Sequence, residues 1–322
     1  MAGILGASGG RTPVVLPGVP ALGGLYRRGL VASGRRALDR RFGRTAPRTL
    51  PDVAYAVAGV RADAEHLTAY QHLLGESASD VLPAGFVHVL AFPVATAVMV
   101  RPDFPLPLLG MVHLANHIEQ LHPLTLGDRL DVLAWAQGLT PHRAGTQVEL
   151  VTEVRVAGPS DDVLAGPLAW RGVSTYLAKG VRLGADASAS EDVAPSLPDD
   201  GAREPFTAPL PTGRWHLAAD TGRRYAAVSG DQNPIHLSKV SAKALGFPRA
   251  IAHGMYTASR ALADVGAGRG DAFTWTVEFT KPVLLPATVD VRVAPDDDGG
   301  FTYAAWHGRT GKPHLTGAVV PR

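Results

Sequence analysis

The sequence predicts an α+β protein made of two homologous halves, each a long apolar helix followed by an antiparallel set of strands that curves around it. Three observations lead there: the length of the chain, a repeat between its halves, and the order of hydrophobic patterns within each half. At 322 residues the chain is about twice the common size of one domain, so two domains or one duplicated domain is expected. Tyr70-Gln-His-Leu-Leu-Gly75-Glu76 parallels Tyr225-Ala-Ala-Val-Ser-Gly230-Asp231, and Glu119-Gln-Leu-His122-Pro123 parallels Glu278-Phe-Thr-Lys281-Pro282. The offset is 155 residues at the first match and 159 at the second, so the first copy is four residues shorter between its anchors. Such self-similarity marks a duplicated unit.

Residues 1–50 precede the repeat. They hold nine Arg, no Lys and one acid, Asp39, which concentrates positive charge in a chain whose overall net charge is only +2. Gly and Pro interrupt the segment too often for a secretory leader. An amphipathic helix is expected over 21–42, with Leu22, Leu25, Leu30, Val31, Leu38 and Phe42 among the Arg, as a solvated arm packed loosely on the body. Only Tyr26 and Phe42 interleave with the basic residues, which argues against a nucleic-acid surface.

The first half spans 51–181. Val81–Val100 carries no Asp, Glu, Lys or Arg and has the length of a membrane span, but Pro83, Pro93 and His88 interrupt it. It reads as a buried core helix with its lead-in loop, and no membrane span is expected. Strands follow near Met111–Leu121, Arg129–Ala136, Thr146–Val156 and Ala169–Leu177. Residues 182–210, with four Pro, six acids and two Arg, read as an exposed linker. The second half, 211–322, repeats the order: helices at Ala218–Val228 and Met255–Val265, then strands at Phe273–Phe279, Thr288–Ala294, Phe301–His307 and His314–Val320. Side by side, the two would form an internal pseudo-dimer.

The chain has no cysteine, so disulfides, thiolate nucleophiles and cysteine-ligated metals are excluded, and a reducing cytoplasm fits. His113, His117 and His122 lie close together, but Val112–Leu121 reads as a strand. There His113 and His117 would stand about 13 Å apart, too far to share an ion. No metal is expected.

The chemistry concentrates in the second half. Between its two helices run Ser229-Gly230-Asp231-Gln-Asn233-Pro234-Ile235-His236 and then Ala252-His253-Gly254-Met255. A carboxylate and an imidazole five residues apart, bent round by Asn233-Pro234, can converge on one water. Gly254 falls where the long helix begins, so its amide points out of the first turn with the positive end of the helix dipole behind it. Lacking a side chain, it lets a carbonyl approach closely. Asn233 is expected to fix the turn.

These residues resemble the MaoC-like hydratases of the hotdog fold, the group of (R)-specific enoyl-CoA hydratases and (3R)-hydroxyacyl-thioester dehydratases, and within it the actinobacterial double-hotdog (3R)-hydroxyacyl-ACP dehydratases. The resemblance is strongest over Tyr225–Ser259, continues through Phe279-Thr-Lys-Pro-Val-Leu-Leu-Pro to the end, and covers the first half as a degenerate hotdog. It implies that Asp231 and His236 are catalytic, that Gly254 supplies an oxyanion-hole amide, and that Ser259 lies beside the catalytic pair. His253 and Asn233 are expected at the substrate. The implied reaction is reversible hydration of a trans-2-enoyl thioester, with acyl-CoA or acyl carrier protein as partner and no metal, flavin or nucleotide cofactor. A homodimer of double hotdogs stays open, and Lys239, Lys243 and Arg249 could meet phosphate or an acidic carrier surface equally well.

In the first half Glu76 stands where Asp231 does, without a following Asn-Pro-x-His. By alignment Phe92-Pro93 falls opposite His253-Gly254, and a proline has no N–H to offer, so that half is expected to be inactive. Its Ala91, Ala95, Ala97 and Val98 suggest room for an acyl chain, although ordinary helix packing explains them equally well. The competing readings are a hotdog acyl thioesterase and a non-catalytic acyl-carrier-binding subunit.

Overall fold

The structure, a computed structural model, describes residues 10–41, 47–158, 162–183 and 206–322. Most of the expected linker, 182–210, lies outside them. The first half comprises β2 (Val53–Val60), α2 (Ala64–Leu74), α3 (Ala84–Met99), β3 (Val112–Gln120), β4 (Leu130–His142), β5 (Gly145–Val156) and β6 (Leu168–Lys179). The second repeats it with β7 (Gly213–Leu217), α4 (Thr221–Ser229), the short α5 (Pro234–Leu237) and α6 (Lys239–Ala244), α7 (Gly254–Val265), β8 (Phe273–Phe279), β9 (Ala287–Pro295), β10 (Phe301–His307) and β11 (Pro313–Pro321). Ahead of both stand β1 (Thr12–Val15) and α1 (Leu22–Arg41).

The strands form one eleven-stranded sheet in the order β1-β2-β4-β5-β6-β3-β8-β11-β10-β9-β7. Outward from the centre, β3-β6-β5-β4-β2 is repeated by β8-β11-β10-β9-β7. The halves meet where β3 pairs antiparallel with β8, placing the buried Ile118 opposite the buried Trp275. Duplication therefore yields a continuous sheet with a pseudo-twofold at its middle.

The central helices differ in how their sequences earn burial. The α3 helix has no charged residue and is buried on nearly every side, hence its lack of amphipathic period. The α7 helix buries Met255, Tyr256, Ala258, Ser259, Ala261 and Leu262 while Arg260 and Asp264 stay on the opposite stripe. The two shorter helices end alike, on Gly75 and Gly230 in the left-handed region (φ 76° and 70°), a conformation glycine adopts without penalty. The repeated glycine is thus a repeated helix stop.

Two sequence-based expectations are corrected here. The arm is not loosely packed: β1 pairs parallel with β2, Leu25 is 1% exposed, and Leu22 packs against the bare Cα of Gly230. The buried face of α1 carries Leu22, Leu25, Tyr26 and Gly29, whereas Leu30 and Val31, also expected on the apolar face, are exposed. The expected pairing of Phe92-Pro93 with His253-Gly254 is also overturned. Their first residues are Ala84 and Gly254, so Pro83-Ala84 stands opposite His253-Gly254, and Pro93 lies inside α3. Nine residues separate Gly75 from Ala84, against twenty-four between Gly230 and Gly254. The net difference of four conceals fifteen residues missing before the helix and eleven added after it.

Candidate active site

Those fifteen residues build the site. After the Gly230 cap the chain turns through Asp231 to Asn233, which caps α5 by accepting from the Ile235 N–H, and Pro234 occupies the first helical position, where no N–H is needed. Ser238 caps α6 in the same way. The chain returns to α7 through Ile251, whose N–H donates to the Ile235 carbonyl, and Ala252, whose N–H donates to the Val283 carbonyl. An overhang results, folded back across the N-terminus of α7.

Within it, Asp231, His236 and His253 converge. The His236 Nδ1 lies 2.9 Å from the Ile251 carbonyl, which can only accept, so Nδ1 carries the proton and Nε2 keeps its lone pair. Burial, and then the neighbouring His253, push the His236 pKa down to about 3, leaving the ring neutral. The two imidazoles stack with centroids 3.6 Å apart, and His253 donates from Nε2 to the Asp231 carbonyl at 3.0 Å. Burial opposes charge on the Asp231 carboxyl, but His253, His236, the Tyr26 hydroxyl and the Asn233 amide outweigh it and hold it below the usual carboxylate range. The Asn233 amide donates to Oδ1 at 3.1 Å. An ionised carboxylate and a neutral imidazole side by side are equipped to pass a proton.

Tyr26, on α1, also donates its hydroxyl to Asp231 Oδ1. Burial, reinforced by Asp231, raises its pKa, so it stays protonated. The second turn of α1, in an arm outside the repeated unit, thus reaches the Asp231 carboxylate. The spacing of Leu22, Leu25, Tyr26 and Gly29 along one helix face was a signal for this contact.

Gly254 is the first residue of α7, and no side chain caps that end. A Cβ on Gly254 would stand 2.9 Å from the Phe279 ring, so the position demands glycine sterically as well. Tyr26, Asp231 and His236 border one cavity of about 180 Å³. Asn233, His253 and Gly254 line it, as do His88, Phe92 and Met99 from α3 of the other half.

Three residues singled out from sequence lie elsewhere. Ser259 is buried on the face of α7 that meets the first half, where its hydroxyl and that of Tyr70 crowd the bare Cα of Gly85, and it does not line the cavity. It is five residues beyond Gly254, and a helix turn of 3.6 residues carries it to another face. Ala95 lines a small side cavity that shares His88, Phe92, Met99 and Tyr176 with the main one, and Ala97 is buried and lines neither. Glu76, the counterpart of Asp231, pairs with Arg269 of the second half at 2.9 Å.

The donor atoms of Asp231, His236 and His253 lie within 4.8 Å of one another, close enough for a metal to be considered. The two rings stack at 23° to each other, and one nitrogen of each is engaged by a backbone carbonyl.

A duplicated sheet with a carboxylate and a neutral imidazole poised over a free helix-start amide defines a hotdog hydro-lyase. The chain belongs to the MaoC-like dehydratase family, whose domain model (MaoC like domain) matches residues 203–317. It is 36% identical over 276 residues to 3-hydroxyacyl-thioester dehydratase X of Mycobacterium tuberculosis, covering 85% of this chain and 91% of that protein. The crystal structure of HtdX from the same organism superposes with a TM-score of 0.68 at 34% identity, over 83% of this chain and 98% of that one. A MaoC-like dehydratase from Phytophthora capsici, 20% identical, shares the fold with a TM-score of 0.62 over 84% of this chain and 94% of its own. Among the described residues no helix is long and apolar enough to cross a membrane.

Proposed function

We propose that this hydro-lyase interconverts (R)-3-hydroxyacyl and trans-2-enoyl thioesters carried on coenzyme A or acyl carrier protein, in the cytoplasm and without a metal or redox cofactor. The observation that carries the reading is the convergence of the Asp231 carboxylate, the His236 Nε2 lone pair and the Gly254 amide on one cavity. In the hydration direction, Asp231 and His236 hold a water between them and take one proton from it as its oxygen bonds to C3. Electron density moves through C2 onto the thioester oxygen, where the Gly254 N–H and the helix dipole stabilise it. The pair then returns a proton to C2, so water has added across the double bond and the enzyme is unchanged. Dehydration runs the same steps backward.

Lys239, Lys243 and Arg249 are exposed on the overhang and supply positive charge for the phosphate of a pantetheine arm. The α3 side of the cavity receives the acyl chain. A volume of about 180 Å³ exceeds that of a cavity known to take one benzene ring, and so suits chains longer than crotonyl. The test is direct: purified protein with trans-2-enoyl-CoA substrates of graded length, followed by loss of the conjugated double bond and chiral analysis of the product. Formation of the (R)-3-hydroxyacyl thioester is expected. Release of free CoA in its place would favour a thioesterase, and absence of any turnover would leave a carrier-binding subunit.

A further inference from the structure

The acyl side of the cavity has a feature that acid–base catalysis does not use. Its walls include apolar Val89, Phe92 and Met99, yet three polar rings from three different elements join them: His88 from α3, His113 from β3 and Tyr176 from β6. His88 is 8% exposed and makes ring contacts with Phe92 and Trp170. His113 stacks on Tyr176 with centroids 4.5 Å apart, and its Nε2 is buried with no hydrogen-bond partner among the described residues. His88 and Tyr176 also border the small side cavity, together with Thr152 and Ser174. The degenerate half has lost its own Asp-x-Asn-Pro-x-His, yet it presents a polar belt to the chamber.

We propose that this chamber selects thioesters whose acyl chain bears an uncharged oxygen substituent, a hydroxyl or keto group, which His88, His113 and Tyr176 recognise by hydrogen bonding. The inference rests on the dehydratase reading above and narrows its substrate class. A chain made only of methylenes would leave the His113 Nε2 buried without a partner, which is the costly way to bury a polar atom. Burial holds His88 down to about 4, and burial with the neighbouring His88 holds His113 down to about 3, so both imidazoles are neutral. A neutral imidazole has one donor and one acceptor and a phenol offers both; part of that capacity is used by the Ala115 backbone at His113 and by Ser174 at Tyr176, and the rest matches a hydroxyl or a carbonyl. A carboxylate on the chain would place a second negative charge near Asp231, and an ammonium would bring an unpaired charge into an apolar wall.

The experiment compares kcat/KM of the wild-type protein for hexenoyl-CoA and octenoyl-CoA with that for isomers carrying a hydroxyl or keto group, stepped one carbon at a time beyond the double bond. At one or more positions the oxygenated substrate is expected to be preferred by about tenfold or more, since sites built to hydrogen-bond a substrate oxygen discriminate strongly against analogues lacking it. In His88→Leu and His113→Leu the same ratio should fall toward unity. The wild-type ratios decide the matter even where a variant fails to fold. Turnover of alkyl substrates with no oxygenated isomer preferred overturns this inference and leaves the dehydratase reading intact. Failure to turn over any enoyl thioester overturns both.

Discussion

The two halves of this chain descend from one pattern and have parted at the same place. In the second half twenty-four residues run from the cap glycine to the long helix, and they fold Asp231 and His236 across its N-terminus. In the first half nine residues make the same journey, too few to carry an overhang, and the acid at the equivalent position is spent differently. Glu76 pairs with Arg269, so the position proposed to handle protons in one half clasps the other half. A second pair of equivalents behaves the same way. Asp131 on β4 accepts from the backbone amides of Gly59 and Leu164, whereas Asp290 on β9 pairs with Arg214 of the neighbouring strand. Duplication preserves where an acid sits; the local surroundings decide its use.

The largest expected effect comes from breaking the active half. Asp231→Asn and His236→Ala should each lower kcat by roughly two to four orders of magnitude while the unfolding transition stays cooperative, since general acid–base groups contribute on that scale. Steady-state kinetics beside circular dichroism would check this, and near-native turnover in either variant would remove the residue from the mechanism.

Next is the arm, which belongs to neither half. Tyr26→Phe removes a donor to Asp231 and should reduce kcat about tenfold. It should also move the pH profile. Losing that hydrogen bond destabilises the ionised carboxylate and raises its pKa, so activity should be lost at a higher pH on the acid side than in the wild type. A profile with an unmoved acid limb would make Tyr26 a packing residue only. Deleting residues 1–48 should depress activity at least as far as Tyr26→Phe, and should weaken the fold as well, because it bares the β2 edge and the site of Leu25. A loosely packed arm, as expected from sequence, would give the opposite outcome, an activity left largely unchanged.

Glu76→Gln should cost stability and spare the chemistry. Breaking a buried pair by removing one partner is expensive, but Arg269 keeps some solvent contact, so a loss of about 2 kcal/mol in urea unfolding is expected, with kcat within a few-fold of wild type. If activity fell as steeply as in Asp231→Asn, the first half would be a second active site. The smallest effect should be that of Ser259→Ala, which alters the seam between α7 and the first half and should change kcat by less than about threefold.

Much of the fold was legible in the residues, and for nameable reasons. Strands β8 to β11 and β3 to β6 fall within a few residues of where alternation and Gly or Pro breaks put them, and Gly75 and Gly230 end their helices where the repeat places them. Legibility failed at the long helices. An alignment anchored on a strand and on a cap glycine sees a net difference of four residues, and a deletion of fifteen balanced by an insertion of eleven leaves no trace in that difference. Pro93 was therefore matched to Gly254 when its place is inside α3.

The sequence by itself determined the candidate loop, because Asp231, Asn233, Pro234, His236 and Gly254 are placed by turn chemistry, caps and a helix start, all written within one short stretch of chain. Only the tertiary structure decided that Tyr26, more than two hundred residues away, donates to Asp231, that His88, His113 and Tyr176 gather on one wall, and that Ser259 turns away from it. Local conformation is set by interactions a few residues apart. Which face of a helix or strand looks into a cavity is settled by the element packed against its other side, and no stretch of sequence contains that partner.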